Sequence, residues 1–127
     1  MEILTSRILL EPTDLERSQR FYEHTLGLAV YREWQVGDAR GIAFFLGGGG
    51  ILEVSGRSDV PPSSAVKLVL QVRDVAAAHS TLQERGVEIA APPELKPWGL
   101  IEMTALDPDG IELILVEIPA GHPRRGG

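Results

Sequence analysis

Apolar and polar positions alternate in blocks whose period changes along the chain. Residues 3–10 (Ile3 to Leu10) form an apolar, β-rich run, and Pro12-Thr13-Asp14 breaks it. Asp14 can cap a helix, because its carboxylate accepts from an orphan N–H of the first turn. Leu15, Ser18, Phe21, Tyr22 and Leu26 follow at helical spacing, and Gly27 stops the run. Leu28–Gln35 and Arg40–Leu46 read as two strands joined by the turn Val36-Gly37-Asp38-Ala39. Gly47–Gly50 makes a tight connection into a strand over Ile51–Ser55. The pattern predicts βαβββ.

Residues 56–65 are rich in Ser and Pro and read as a linker. The same order then returns. A strand is predicted over Val66–Val72 and a helix from Asp74, with Val75, Ala78, Leu82 and, as an alternative inward position, Ala76 turned toward the sheet. A strand near Val87–Ala90 precedes the segment Pro92–Gly99. Strands over Leu100–Leu106 and Ile111–Ile118 flank the turn Asp107-Pro108-Asp109-Gly110, and residues 119–127 form a tail. Leu10-Glu11-Pro12-Thr13-Asp14-Leu15 is thus echoed by Leu70-Gln71-Val72-Arg73-Asp74-Val75, sixty positions on. A tandem repeat of this size implies two copies of one unit, neither large enough to bury a core alone. The surface between copies is the natural place for a site.

Composition narrows the partners. The chain has 127 residues, 43% hydrophobic and 24% charged, which suits one domain. A net charge of −6 argues against nucleic acid, which calls for a basic stripe. Without cysteine, disulfides, thiolate metal sites and cysteine nucleophiles are excluded. Glu2 and Arg7 interrupt the first apolar run, so no signal peptide is read there, and no apolar stretch is long enough to span a membrane. A cytoplasmic location is expected.

Most candidate motifs read as structure. Gly47–Gly50 precedes a strand, whereas a phosphate loop needs a helix N-terminus after it. Asp107–Gly110 lacks the acidic spacing of a calcium loop and reads as a turn. His24, His79 and His122 share no ligand spacing, and no serine sits in a nucleophile elbow. Phe21 and Tyr22 are expected to pack the first helix on its sheet. Trp34 lies in a predicted strand, and Trp98, in Pro97-Trp98-Gly99, is a candidate for a cavity mouth.

The repeated βαβββ pattern, Asp14-Leu15-Glu16-Arg17-Ser18 with Phe21-Tyr22 and Leu26-Gly27, and Pro97-Trp98-Gly99 before Asp107-Pro108-Asp109-Gly110, together resemble the vicinal-oxygen-chelate superfamily. Glyoxalase I, extradiol dioxygenases, fosfomycin-resistance enzymes and bleomycin-resistance proteins belong to it. The resemblance runs from about residue 3 to residue 118 and implies an α+β fold, a single domain of two tandem βαβββ modules whose curved mixed sheets enclose a cavity, usually in a homodimer. The modules are then about 3–55 and 66–118.

In the enzymatic branches, first and last strands supply histidine and glutamate to a divalent metal. The resemblance puts those positions at Arg7, Lys67 and Glu53, with Ile114 at the fourth and Glu112 two residues earlier on the same sheet face. Arginine has no lone pair to donate, and a lysine amine binds metal only after losing its proton. Two carboxylates are too few for a catalytic centre, so neither a metal nor another cofactor is expected. Arg7 and Lys67 could pair with Glu53 and Glu112, or lie at solvated strand ends.

Three functions stay open. The first is a non-catalytic binder similar to the bleomycin-resistance branch, conferring self-resistance by sequestering an antibiotic or other toxic natural product. Trp34 and Trp98 would stack on a planar aromatic ligand, and Arg7, Glu53, Lys67, Gln71 and Glu112 would supply polar contacts. The second is an enzyme of glyoxalase or dioxygenase type, metal-dependent or using Glu53 as base with Arg7 on an enolate. The third is a module that only dimerises.

Overall fold

The computed structural model describes residues 1–123. Backbone contacts divide the chain into two compact units, the first Met1–Pro62 and the second from Ser63 onward, so the division falls inside the Ser/Pro-rich segment. Each unit is built as βαβββ.

In the first unit β1 (Ile8–Leu10) leads to α1 (Leu15–Arg20), which continues as one π-helical turn over Phe21–Thr25. The strands β2 (Val30–Val36), β3 (Ala39–Gly47) and β4 (Gly50–Val54) complete a sheet of order β1-β4-β3-β2. β1 pairs with β4 in parallel, Leu9 opposite Glu53, and the other pairings are antiparallel. Asp14 Oδ1 accepts from the Arg17 N–H at 3.1 Å, the expected cap. Leu26 N–H reaches back five residues to the Phe21 carbonyl, and Gly27 then takes φ of 80°, a turn-ending conformation that favours glycine. Phe21 and Tyr22 are buried with Ile42, Phe44, Leu52 and Val54, Tyr22 lying 6.3 Å from Phe44 between ring centres.

In the second unit β5 (Lys67–Gln71), α2 (Val75–Glu84), β6 (Ile89–Leu95), β7 (Ile101–Leu106) and β8 (Glu112–Glu117) form a sheet of order β5-β8-β7-β6. Here β5 and β8 are the parallel pair. Leu68, Met103, Ala105, Leu113 and Leu115 are buried on one face, with Val75 and Leu82 of α2. Asp74 Oδ1 caps α2 through the Ala77 N–H, and Glu117 Oε1, reaching over from β8, accepts from the Val75 N–H at 2.9 Å. The two carboxylates satisfy separate orphan amides of one helix end.

Most predicted strand boundaries lie within two residues of the observed ones, and two differ by more. The first strand begins at Ile8 rather than Ile3, and Ile3 and Leu4 are exposed. Its register sets Ile8 opposite Leu52, so Ser6 would meet Gly50, the first residue of β4, and earlier residues have no ladder to join. The second difference is β6, which runs through Pro92 and Pro93 to Leu95, where the sequence suggests a strand ending near Ala90. Proline lacks a donor and is tolerated on an edge strand or at bulges. β6 is an edge, and its register shifts between Ile89 and Ala91 and again before Glu94.

The turn at Asp107–Gly110 is held by its own first residue. The Asp107 carboxylate is buried and Oδ1 accepts from the Asp109 and Ile111 N–H groups, both at 2.9 Å, while Gly110 has φ of 87°. Those two bonds from the turn's own backbone explain why an acid stands at its first position.

Candidate functional site

Strand alternation sorts the predicted site residues onto the sheet face turned away from the helix in each unit. In the first sheet Trp34 stands opposite Gly41, Arg32 opposite Ala43, and Ala43 opposite Glu53, so Trp34, Arg32 and Glu53 share that face. The Trp34 indole lies directly over Gly41, where an added Cβ would sit 2.3 Å from the ring. The Arg32 guanidinium is 5.1 Å from the ring centre, a cation–π distance. Leu9, Tyr31 and Phe45 are exposed apolar side chains in or beside these strands, with Tyr31 and Phe45 in edge contact at 5.0 Å.

Arg7 Nε lies 2.8 Å from Glu53 Oε1, and the Ser55 hydroxyl donates to Glu53 Oε2 at 2.8 Å. Both oxygens of Glu53 are therefore engaged, and a base role would require surrender of the ion pair. The second unit repeats the device. Lys67 stands directly opposite Glu112 in the parallel ladder, and their side chains form an ion pair. The corresponding positions 7 and 67 thus each neutralise a carboxylate of their own sheet.

The same face of the second sheet carries a groove of about 440 Å³, lined by Val69, Gln71, Leu100, Glu102, Ile114, Val116 and Ile118. Register explains the set. Val69 lies beside Ile114, Gln71 beside Val116, and Glu102 on the other side of Val116, which makes a polar–apolar–polar row across β5, β8 and β7. Leu100, Val116 and Ile118 form a buried apolar cluster with Ile114 packed on it.

Trp98 does not line the groove but is tied to it. It sits in the turn between β6 and β7, exposed, and its indole N–H donates to Glu102 Oε2 at 2.6 Å. The turn is closed by hydrogen bonds from Lys96 N–H to the Leu100 carbonyl and from Gly99 N–H to the Lys96 carbonyl. The His122 ring nitrogen Nε2 lies 3.1 Å from the Trp98 carbonyl.

Of the seven predicted site residues, Gln71 lines the groove, Lys67 and Glu112 lie on the same face, and Trp98 reaches it through Glu102. Arg7, Glu53 and Trp34 belong to the first sheet. Glu102 and the apolar lining are absent from the predicted set. Gln71 stands out as a polar residue alternating into an apolar strand, and Glu102 in Ile101-Glu102-Met103 carries that same signal.

In the enzymatic branches of the superfamily that the sequence resembles, these strand positions hold a divalent metal. At three of the corresponding positions stand Arg7, Lys67 and Glu53, the fourth is the apolar Ile114, and the nearby Glu112 is neutralised by Lys67 as Glu53 is by Arg7. No group of three or more His, Cys, Asp or Glu residues capable of holding an ion occurs among the described residues. Neither pair fits a divalent cation, since in each unit the ion would have to break an ion pair and sit beside a positive charge. Among the described residues no helix is long and apolar enough to cross a membrane.

Comparison with known proteins places this geometry. A crystal structure of a glyoxalase/bleomycin resistance protein/dioxygenase superfamily member from Sphaerobacter thermophilus is 28% identical with a TM-score of 0.71, covering 91% of this chain and 98% of its own. A glyoxalase/bleomycin resistance protein from Streptomyces sp. CB03234 is also 28% identical, with a TM-score of 0.67 and coverage of 87% and 98%. TnmS3, an antibiotic binding protein from the same Streptomyces strain, shares the fold at 23% identity, with a TM-score of 0.69 and coverage of 93% and 100%. No curated protein matches the chain. Residues 6–115, which span both βαβββ modules, match the family model, so the chain belongs to the Glyoxalase/Bleomycin resistance protein/Dioxygenase superfamily.

Proposed function

We propose that this protein is a non-catalytic binder that sequesters a planar aromatic small molecule, an antibiotic or other toxic natural product, and so confers self-resistance in the cytoplasm. One observation carries the reading: the groove of about 440 Å³ on the second sheet, whose walls are apolar except for Gln71 and Glu102. A small-molecule site has this character, a mostly apolar concavity in which a few polar groups fix orientation. Val69, Ile114 and Val116 present adjoining apolar side chains on one sheet face, a strip on which a planar ring can lie. The ion-paired state of Glu53 and Glu112 favours binding over metal chemistry. TnmS3, an antibiotic binding protein by name, lends the ligand class as a precedent for this fold.

We further propose that the binding form is a homodimer, supported by the exposed Leu9, Tyr31 and Phe45, which a second copy would cover. Trp34, Arg7, Glu53, Lys67 and Glu112 then serve as the remaining contacts or their supports.

The test is a fluorescence titration with a panel of planar aromatic antibiotics. The chain has two tryptophans, and the wild-type protein is titrated first; Trp34→Phe then isolates the signal of Trp98, which is bonded to a groove residue. Saturable quenching by at least one compound is expected. A folded protein that responds to none of them contradicts the reading.

A further inference from the structure

The carboxylates around the groove differ in what neutralises them. Glu112 takes Lys67, and Glu94, the neighbour of Glu102 across the β6–β7 pairing, takes Lys96 Nζ at 3.3 Å. Glu102 has no ion-pair partner among the described residues. Its one hydrogen bond there is from the neutral indole N–H of Trp98, received at Oε2, which leaves Oε1 for another donor. It is also the charged residue of the groove lining, with Leu100, Val116 and Ile118 around it.

An unneutralised carboxylate beside an apolar wall is costly to desolvate and interacts strongly with any cation that reaches it. The indole bond fixes its orientation without cancelling its charge. The net charge of −6 adds a field of the same sign. On the other side of Val116, Gln71 offers a carboxamide that both donates and accepts. Resting on the binding reading above, we infer that Glu102 is the specificity-determining anchor of the groove and selects a planar aromatic cation. The ring of that ligand lies on the Val116–Ile114 strip, and a ring-edge N–H donates to Glu102.

Calorimetric titration of the full chain at about 0.15 M salt, where exposed charges more than about 8 Å apart are largely screened, with two tricyclic dyes of opposite charge, proflavine and 9-anthracenecarboxylate, tests this. Wild-type protein is expected to bind proflavine at least about tenfold more tightly than the anion, the factor that one charge-assisted hydrogen bond supplies. Glu102→Gln keeps the volume and an acceptor for Trp98 but removes the charge. It is expected to weaken proflavine about tenfold and to erase most of the preference. Glu94→Gln removes an equal charge outside the groove and is expected to leave proflavine within about twofold of wild type, because exposed charges are screened. Equal affinity for the two dyes overturns the inference and leaves sequestration standing. So does a proflavine affinity that Glu102→Gln leaves unchanged, or that Glu94→Gln lowers as much. Binding of neither dye by folded protein also overturns it, and the antibiotic panel then decides separately on binding itself. The wild-type comparison requires no variant to fold.

Discussion

At the scale of single residues, the two matched ion pairs are not equal. Glu53 is 13% exposed and Glu112 is 34% exposed, while Arg7 and Lys67 both reach well into solvent. Removing the cation strands the more buried carboxylate at greater cost. Arg7→Met is expected to destabilise by about 1–2 kcal/mol, softened by the Ser55 hydroxyl, and Lys67→Met by less than about 1 kcal/mol, the usual worth of an exposed pair. Urea denaturation of both variants checks the order, and a reversed order would show that burial does not set the difference. Gly41 makes a second residue-scale test. A methyl there would collide with the Trp34 indole, a partly exposed ring that can swing aside, so Gly41→Ala is expected to displace the ring at a cost below about 1 kcal/mol. In a Trp98→Phe background the same change should shift Trp34 emission to the red as the ring is displaced. Unchanged emission would mean that the ring does not rest on Gly41.

At the scale of elements, the helices are held to their sheets by polar side chains as well as by apolar contact. Gln19 of α1 is buried, and its Nε2 donates to the Arg40 carbonyl at 2.6 Å and the Val54 carbonyl at 3.0 Å. Gln19→Met keeps the bulk and loses both bonds, so a loss of about 1–3 kcal/mol is expected in thermal or urea unfolding. A neutral outcome would show that relaxation or water replaces them. Gln19 and Glu117 are invisible to periodicity, because each acts on backbone atoms far along the chain. Asp14 and Asp74 are legible, because a cap acts within three residues. The same divide explains the strands. Gly37, Gly110 and the acidic turns announce the hairpins at short range, whereas Pro92 and Pro93 hide β6 from local propensity and are accommodated only because that strand lies at a sheet edge.

At the scale of the whole molecule, the duplication and the family were legible in the sequence, since both modules carry the motifs in order. The site was less so. Aligning the repeats directs attention to positions 7, 53 and 67, where the enzymatic branches hold ligands, and to Glu112, two residues before the fourth position at Ile114; here Arg7 and Lys67 close on Glu53 and Glu112 as ion pairs. The groove depends instead on the register of β5 against β8, which is set by pairing across 45 residues of chain and cannot be read from either strand alone, even though the β7–β8 hairpin beside it is announced by its turn. Because the paired charges leave no suitable donor set, EDTA treatment is expected to change neither the melting temperature nor ligand affinity. Stoichiometric iron, zinc, nickel or manganese in protein purified without chelator would contradict that expectation.

The central claim is that a small molecule occupies the groove of the second sheet. Methyl-labelled NMR during titration with a compound that quenches Trp98 tests it most directly. Saturable shifts centred on the methyl groups of Val69, Leu100, Ile114, Val116 and Ile118 are the expected result. Binding that leaves those methyls unmoved and shifts others elsewhere would contradict it.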